Sequence, residues 1–449
     1  MLLLANRSPL RLVGCNGNRS TVASLSPSDG ERVRVRGSLY SRNCYATLAP
    51  GLEKLRRSGG STRCARWNLY ADFVFGFFQE RHYLFTVKWL FLVFWTLAGI
   101  AHASPAQGNL PVRFAIIGLT HDHAGGFIPR IHDTPGVQLA GIVEPKAELA
   151  ARYARRFKLD TNLFYSSLDD LLTKTNIQAV ATFTSTFDHR RVVELCAPKH
   201  IHVMMEKPLA VNMEHARAIE AAAKKGDIKV IVNYETTWYP GNQAAYALIQ
   251  NHEIGELRKI VVHDGHRGPK EIGCSADFLE WLTDPVLNGA GALTDFGCYG
   301  ADLVTWLMNG QRPISVSAVT SRIKPDIYPK VEDEATIVIA YPKAQAILQA
   351  SWNWPFDRKD IEVYGQTGYI LVPRRDILRV RTSGTSSETE RNPPPLSGPQ
   401  ADPLAYLAAV VRGDIQPAGL SSLPVNMVVT EILDAARESA RTGKRIDLQ

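Results

Sequence analysis

Between residues 112 and 236, short apolar runs alternate with stretches of helical periodicity, which predicts a parallel sheet covered on both faces by helices. The runs fall at 112–118, 137–143, 179–184, 202–205 and 229–234, with a helical stretch such as 213–225 between them. After Tyr239-Pro240 the period changes. Alternating strands at 257–263, 314–323, 335–341, 344–352 and 361–364 predict a large, mostly antiparallel sheet with helices on one face. A stretch rich in Ser, Pro and Gly at 383–400 reads as a loop, and 425–442 as a closing helix with one apolar face. The expected fold class is α/β: a doubly wound Rossmann domain at 111–236, then an α+β domain with an open sheet at 237–449.

The first 110 residues break this pattern. They hold no sustained periodicity until Lys88, where an apolar run at 89–100 ends in Ala101-His102-Ala103. A short basic start, an apolar run and an A-x-A end are the grammar of a secretory signal peptide, and the run is shorter than the ~20 residues of a spanning helix. The expectation is a non-globular extension over 1–110 with a signal peptide at about 84–103, used from a start near Leu84 or Val87. The protein is then exported, to a periplasm or outside the cell; without the signal it is cytoplasmic or membrane-anchored.

Charge changes the picture little. The formal net charge is +7, but residues 1–103 hold 14 Lys+Arg against 5 Asp+Glu, and the remainder holds 37 against 39. A nearly neutral body points away from nucleic acid as a partner. The six cysteines include no CxxC pair, so neither a disulfide framework nor a zinc site is expected.

Candidate chemistry begins at Gly118, where the first strand ends and Leu119-Thr120-His121-Asp122-His123 leads toward a helix. Strand, tight turn and helix form the phosphate-binding start of a dinucleotide unit. Thr120 and His123 stand where the second and third glycines of GxGxxG belong. Glu144 closes the second strand 26 residues after Gly118, where an acid accepts from the adenosine ribose hydroxyls and repels a 2′-phosphate. That favours NAD over NADP. His121 and His123 have no third ligand in view, so no metal is expected there.

A further apolar strand runs into Glu206-Lys207-Pro208, and Asn288-Gly289-Ala290-Gly291 leads to Asp295 and Tyr299. With Thr184-Ser185-Thr186 and His189 after the third strand, this text resembles the Gfo/Idh/MocA family of glucose–fructose oxidoreductase and inositol dehydrogenase. The similarity spans nearly all of 111–449. It implies a nicotinamide cofactor held by Gly118, Thr120, His121, His123, Glu144, Thr184, Thr186, His189, Glu206 and Lys207. It also implies proton handling by Lys207, a substrate-orienting Asp295, and an acid/base Tyr299 where inositol dehydrogenases carry histidine. Homodimers or tetramers formed through the open sheet are implied as well.

On chemical grounds, a lysine desolvated at a strand end has its pKa lowered toward neutrality, and a phenol beside it relays a proton. Asp295 and Tyr299, four apart, are expected on one helix face. His263, His266 and Arg267, with Trp238, Trp281, Trp352 and Trp354, are further candidates for the cleft wall. The expected function is hydride transfer between the nicotinamide and a sugar, polyol or related cyclic alcohol. Two other readings stay open: an NAD-dependent glycosidase that oxidises its sugar transiently, and a catalytically silent sugar or dinucleotide sensor.

Overall fold

The computed structural model describes residues 110–448; the expected signal peptide and most of the N-terminal extension lie outside them. The first sheet has six strands: β1 (Val112–Ile117), β2 (Val137–Val143), β3 (Phe164–Tyr165), β4 (Ala179–Thr182), β5 (His202–Glu206) and β6 (Val230–Asn233). They lie in the order β3-β2-β1-β4-β5-β6, and every pairing is parallel. Strands buried on both faces are apolar through their interiors, and β1, β4 and β5 are, with Arg113, His202 and Glu206 as exceptions at or near their ends. The order reverses between β1 and β4, and ligands bind at such a reversal, beyond the carboxyl ends of the strands. Helices α1 (Ala147–Phe157), α2 (His189–Cys196) and α3 (Met213–Gly226) follow β2, β4 and β5.

The second sheet has nine strands: β7 (Leu257–Gly265), β8 (Ser315–Ser321), β9 (Glu334–Ala340), β10 (Gln345–Ser351), β11 (Arg358–Gly365), β12 (Gly368–Arg374), β13 (Ile377–Thr382), β14 (Thr389–Arg391) and β15 (Ile446–Asp447). Their order is β14-β13-β12-β11-β7-β10-β9-β8-β15, with only β7 and β10 parallel. Its alternation is that of a sheet with one covered face: β9 buries Ala335, Ile337 and Ile339 and turns the residues between them outward.

Between β7 and β8 come three helices, α4 (Ala276–Leu282), α5 (Ala292–Asp295) and α6 (Gly297–Leu307); α7 (Leu423–Thr442) precedes the last strand, β15. All eleven residues of α6 are buried, so it is a core helix rather than an amphipathic one. Two expectations are corrected here. The 383–400 loop contains β14, which adds to the sheet edge through β13, and Asp295 and Tyr299 belong to two helices joined at Phe296. Among the described residues no helix is long and apolar enough to cross a membrane.

Candidate active site

Lys207 follows β5 directly, its peptide bond to Pro208 is cis, and its side chain is buried. Its Nζ lies 2.5 Å from Asp295 Oδ1 and 3.1 Å from the Asp295 carbonyl oxygen. Asp295 Oδ2 accepts from the indole N–H of Trp352 at 2.9 Å. Both carboxylate oxygens are therefore engaged, as a buried charge requires. Tyr299, one turn further along, presents its ring to two ammonium groups, Lys207 Nζ at 4.9 Å and Lys359 Nζ at 4.5 Å from the centroid. Tyr234 packs edge-on against it at 5.5 Å. Lys359, on β11, pairs with Glu235, which also accepts from the Tyr239 hydroxyl at 2.7 Å.

All of these but the buried Trp352 and Tyr234 border a cleft of about 510 Å³, together with Asp122, His123, His266 and Phe278. Two of the residues that give the cleft its charge, Lys359 and Glu235, carry no sequence signal; their contact joins positions 124 apart. Of the other candidates, His266 lines the cleft, while His263 pairs with Asp360 on the sheet at 3.0 Å. Arg267 offers its carbonyl to Lys324. The expected sugar-facing tryptophans serve other ends: Trp352 is buried on Asp295, Trp238 donates to Asn233 Oδ1, and Trp281 packs on His121.

The electrostatics correct one expectation. Burial pushes the Lys207 ammonium toward deprotonation, but the Asp295 carboxylate in contact, aided by Glu206, outweighs it and holds the pKa above the ordinary lysine range. Burial likewise works against the Asp295 carboxylate, and Lys207 overcomes it, so the pKa of the acid falls. The pair is an ion pair in this state. Glu235, despite a burial penalty, is drawn down to about 2 by Lys359 and Tyr239, and burial raises the Tyr299 phenol.

On the dinucleotide side, Gly118 has φ +79, and a Cβ there would sit 2.7 Å from Thr184 Cγ2 and 3.1 Å from the Phe183 carbonyl. The turn closes on the β4 loop only because residue 118 has no side chain. Glu144 accepts from the Leu119 and Lys146 amides at 2.8 and 2.9 Å, while the Thr120 and Asp122 amides find no partner among the described residues. A cradle without side chain, free amides and an acid at the end of β2 fit a dinucleotide. Thr184 and Thr186 sit beyond β4, where the Thr186 hydroxyl reaches Asn288 at 3.2 Å.

His189 lies under the Glu206-Lys207-Pro208 turn. Its Nδ1 is 3.1 Å from the Pro208 carbonyl and 3.3 Å from that of Leu209, so it carries the hydrogen, and Nε2 is buried without a partner. Burial lowers its pKa from near 6.5 to about 4. A depressed histidine stabilises the fold above its unfolded pKa, and that stability is lost as pH falls through the folded value. Thermal unfolding measured from pH 7 to pH 4 is therefore expected to show falling stability. In His189→Asn, which keeps an N–H near the Nδ1 position, the fall should shrink by roughly 3 kcal/mol; an unchanged slope would place the titration elsewhere.

Residues 275–288 cover this side. The Ser275 amide donates to Asp122 Oδ2 at 2.8 Å, and Lys146 Nζ bridges Asp277 and Glu280 at 3.2 and 2.8 Å. Arg152 reaches Asp277 at 2.5 Å. The His121 ring is buried against Phe278, 4.5 Å between centroids, and the Leu287 carbonyl accepts from the Phe187 amide. His123 extends the other way, with Nδ1 3.0 Å from Glu206 Oε2, so the third polar group that the sequence lacked beside the two histidines is Glu206.

Comparison with known proteins agrees with this fold. Residues 112–234 match the oxidoreductase family with an NAD-binding Rossmann fold, and residues 242–371 match the GFO/IDH/MocA C-terminal domain. The trans-1,2-dihydrobenzene-1,2-diol dehydrogenase of Xenopus laevis is 24% identical over 323 residues, 70% of this chain and 93% of that protein. The inositol 2-dehydrogenase of Serratia proteamaculans is 26% identical over 259 residues, 57% and 72% of the two chains. Among solved structures, the aldose-aldose oxidoreductase from Caulobacter crescentus superposes with a TM-score of 0.64 at 23% identity, covering 75% of this chain and all of that one, a likeness of fold. Two adjoining family matches, over the two halves that the Lys207–Asp295 pair joins, make this chain a member of the GFO/IDH/MocA family of NAD-binding oxidoreductases.

Proposed function

We propose that the chain exchanges a hydride between NAD and a sugar, polyol or related cyclic alcohol held in the cleft. The observation that carries the reading is the buried Lys207–Asp295 pair under the Tyr299 ring, in a cleft that also reaches the dinucleotide turn through Asp122 and His123. A volume near 510 Å³ suits one or two sugar rings. Similar proteins act on inositol, D-apiose and levoglucosan by name, all polyhydroxylated.

NAD, when bound, supplies the hydride acceptor. The chain supplies the rest. Gly118 and Thr120 hold the phosphates, Glu144 the adenosine ribose, and Thr184, Thr186 and Glu206 border the nicotinamide. Lys207 hydrogen-bonds the reacting oxygen and relays the hydroxyl proton to the Asp295 carboxylate along their short contact as the hydride leaves, so the ammonium keeps its charge. Tyr299 stays a neutral phenol and orients the same oxygen.

A second reading rests on the cover formed by residues 275–288, which leaves Glu144 and Thr186 buried. A cofactor enclosed there is regenerated in place, as in an enzyme that couples two sugars or cleaves a glycosidic bond through a transient ketone. Export through the 84–103 segment is consistent with that economy. Pairing of copies through the open face of the second sheet, where Val319 and Tyr364 are exposed, completes the proposal.

Absorbance in the nicotinamide band of the purified protein, followed by incubation with a polyol and sugar panel, tests both readings. Net NADH formation supports simple dehydrogenation, and sugar release or a second reduced sugar without net NADH supports the enclosed cycle. A protein that carries no nicotinamide and binds none on titration sinks both.

A further inference from the structure

His121 and His123 are two apart on the first turn, and Glu206 ends β5. The fold brings one ligating atom from each to within 4.8 Å of the other two. Glu206 is held for this arrangement. Its Oε1 accepts from Asn233 Nδ2 at 2.9 Å, and Asn233 Oδ1 accepts in turn from the Trp238 indole at 3.0 Å, which leaves Oε2 aimed at the histidines. Such outer partners orient a metal-binding carboxylate.

The two imidazoles lie 4.4 Å apart between centroids, and that of His121 is fixed by Phe278 and Trp281 at 4.5 and 5.4 Å. Only His123 bonds Glu206. The sole partner of His121 Nδ1 among the described residues is the His123 amide, at a long 3.2 Å. A hydrogen-bonded pair explains one histidine here and not two.

We infer that His121, His123 and Glu206 bind a divalent first-row transition metal at the lip of the cleft. Two imidazole nitrogens and one carboxylate oxygen suit Zn²⁺, Fe²⁺, Mn²⁺ or Co²⁺ and not Mg²⁺, which takes oxygen donors. Three protein ligands leave positions open, as in catalytic rather than structural sites. His123 is half exposed and lines the cleft, so those positions face it and accept oxygen donors, the hydroxyl or carboxylate oxygens of a cleft ligand. A second cluster, His263, Asp360 and Glu362, lacks this openness: Arg358 holds both oxygens of Asp360, and Tyr364 donates to Glu362.

The inference goes beyond the dehydrogenase reading and is tested without nicotinamide. The full-length protein is stripped with chelator and titrated with Co²⁺, followed by its visible absorption, and with Zn²⁺, followed by elemental analysis after gel filtration. One equivalent per chain is expected, with affinity reduced at least 100-fold in His123→Ala and Glu206→Gln. His263→Ala should bind as the wild type does. Because Glu206 is buried, His123→Ala decides the matter if Glu206→Gln fails to fold. No stoichiometric uptake of either ion overturns the site, as does uptake unchanged by His123→Ala or abolished by His263→Ala.

Discussion

Lys207→Met is expected to lower turnover by a factor of about 10³ or more while nicotinamide binding stays within a few-fold, since general acid–base groups contribute about 10² to 10⁴ and this one also positions the substrate oxygen. The substitution keeps the length of the side chain and leaves the Asp295 carboxylate buried with only the Trp352 indole as partner. Breaking one side of a buried pair costs about 3–5 kcal/mol, much of it the stranded charge. Lys207→Met/Asp295→Asn should therefore recover most of the lost stability and none of the turnover, which separates the chemical role from the structural one.

The pH dependence of stability should change sign as well. In the wild type the Asp295 pKa is depressed and the Lys207 pKa raised. The pair's stabilisation is lost only as pH falls through the first or rises through the second. In Lys207→Met the unpaired acid has a raised folded pKa, so acidification from pH 7 to pH 5 should stabilise that variant. Thermal unfolding across that range, with steady-state turnover at neutral pH, is the measurement; undiminished turnover removes Lys207 from the mechanism.

Gly291→Ala should be the most damaging methyl group in the site. A Cβ at 291 would stand 1.9 Å from the Glu332 carbonyl oxygen and 3.0 Å from Val331 Cβ, so backbone has to move. The Gly291 and Leu293 amides donate to Glu332 Oε1 at 2.8 and 3.0 Å, and the Ala292 amide to the Glu332 carbonyl, so the turn has no free direction in which to relax. Overpacking that forces side chains and backbone to shift costs about 1–3 kcal/mol and occasionally more, and a contact with backbone places this one at the upper end. Asp295 lies four residues on, and a displacement near 1 Å costs about 10² in rate. Unfolding midpoint and kcat/KM are expected to fall together. The neighbouring Ala290→Gly, which removes a methyl group instead of adding one, should cost only about 1 kcal/mol; equal damage from both would point to general fragility of the turn.

Local features were legible before the fold was known. β1 and β2 announce themselves as mostly apolar runs that each end in a buried stretch, and Gly118, Glu144 and the Glu206-Lys207-Pro208 turn follow as strand ends. β12 and β13 were missed because basic residues at 374, 375, 379 and 381 interrupt their alternation. Lys359 and Glu235 were illegible for a different reason: each is an ordinary charged residue until β11 is laid beside the end of β6. The expected deprotonation of Lys207 fails because its strand context shows burial, whereas a carboxylate 88 positions away does not show in sequence as a contact. His121 and His123 were read as a pair without a third group because Glu206 comes from another strand.

The short helix α4 carries a consequence for traffic through the molecule. One side of it, Asp277 and Glu280, grips Lys146 beside the ribose-side acid, and the other, Phe278 and Leu282, forms wall of the substrate cleft. Two doors thus hang on one hinge. The dinucleotide side at Glu144 and the cleft at Lys359 and His266 therefore share one short wall, and a displacement of that wall is felt on both sides.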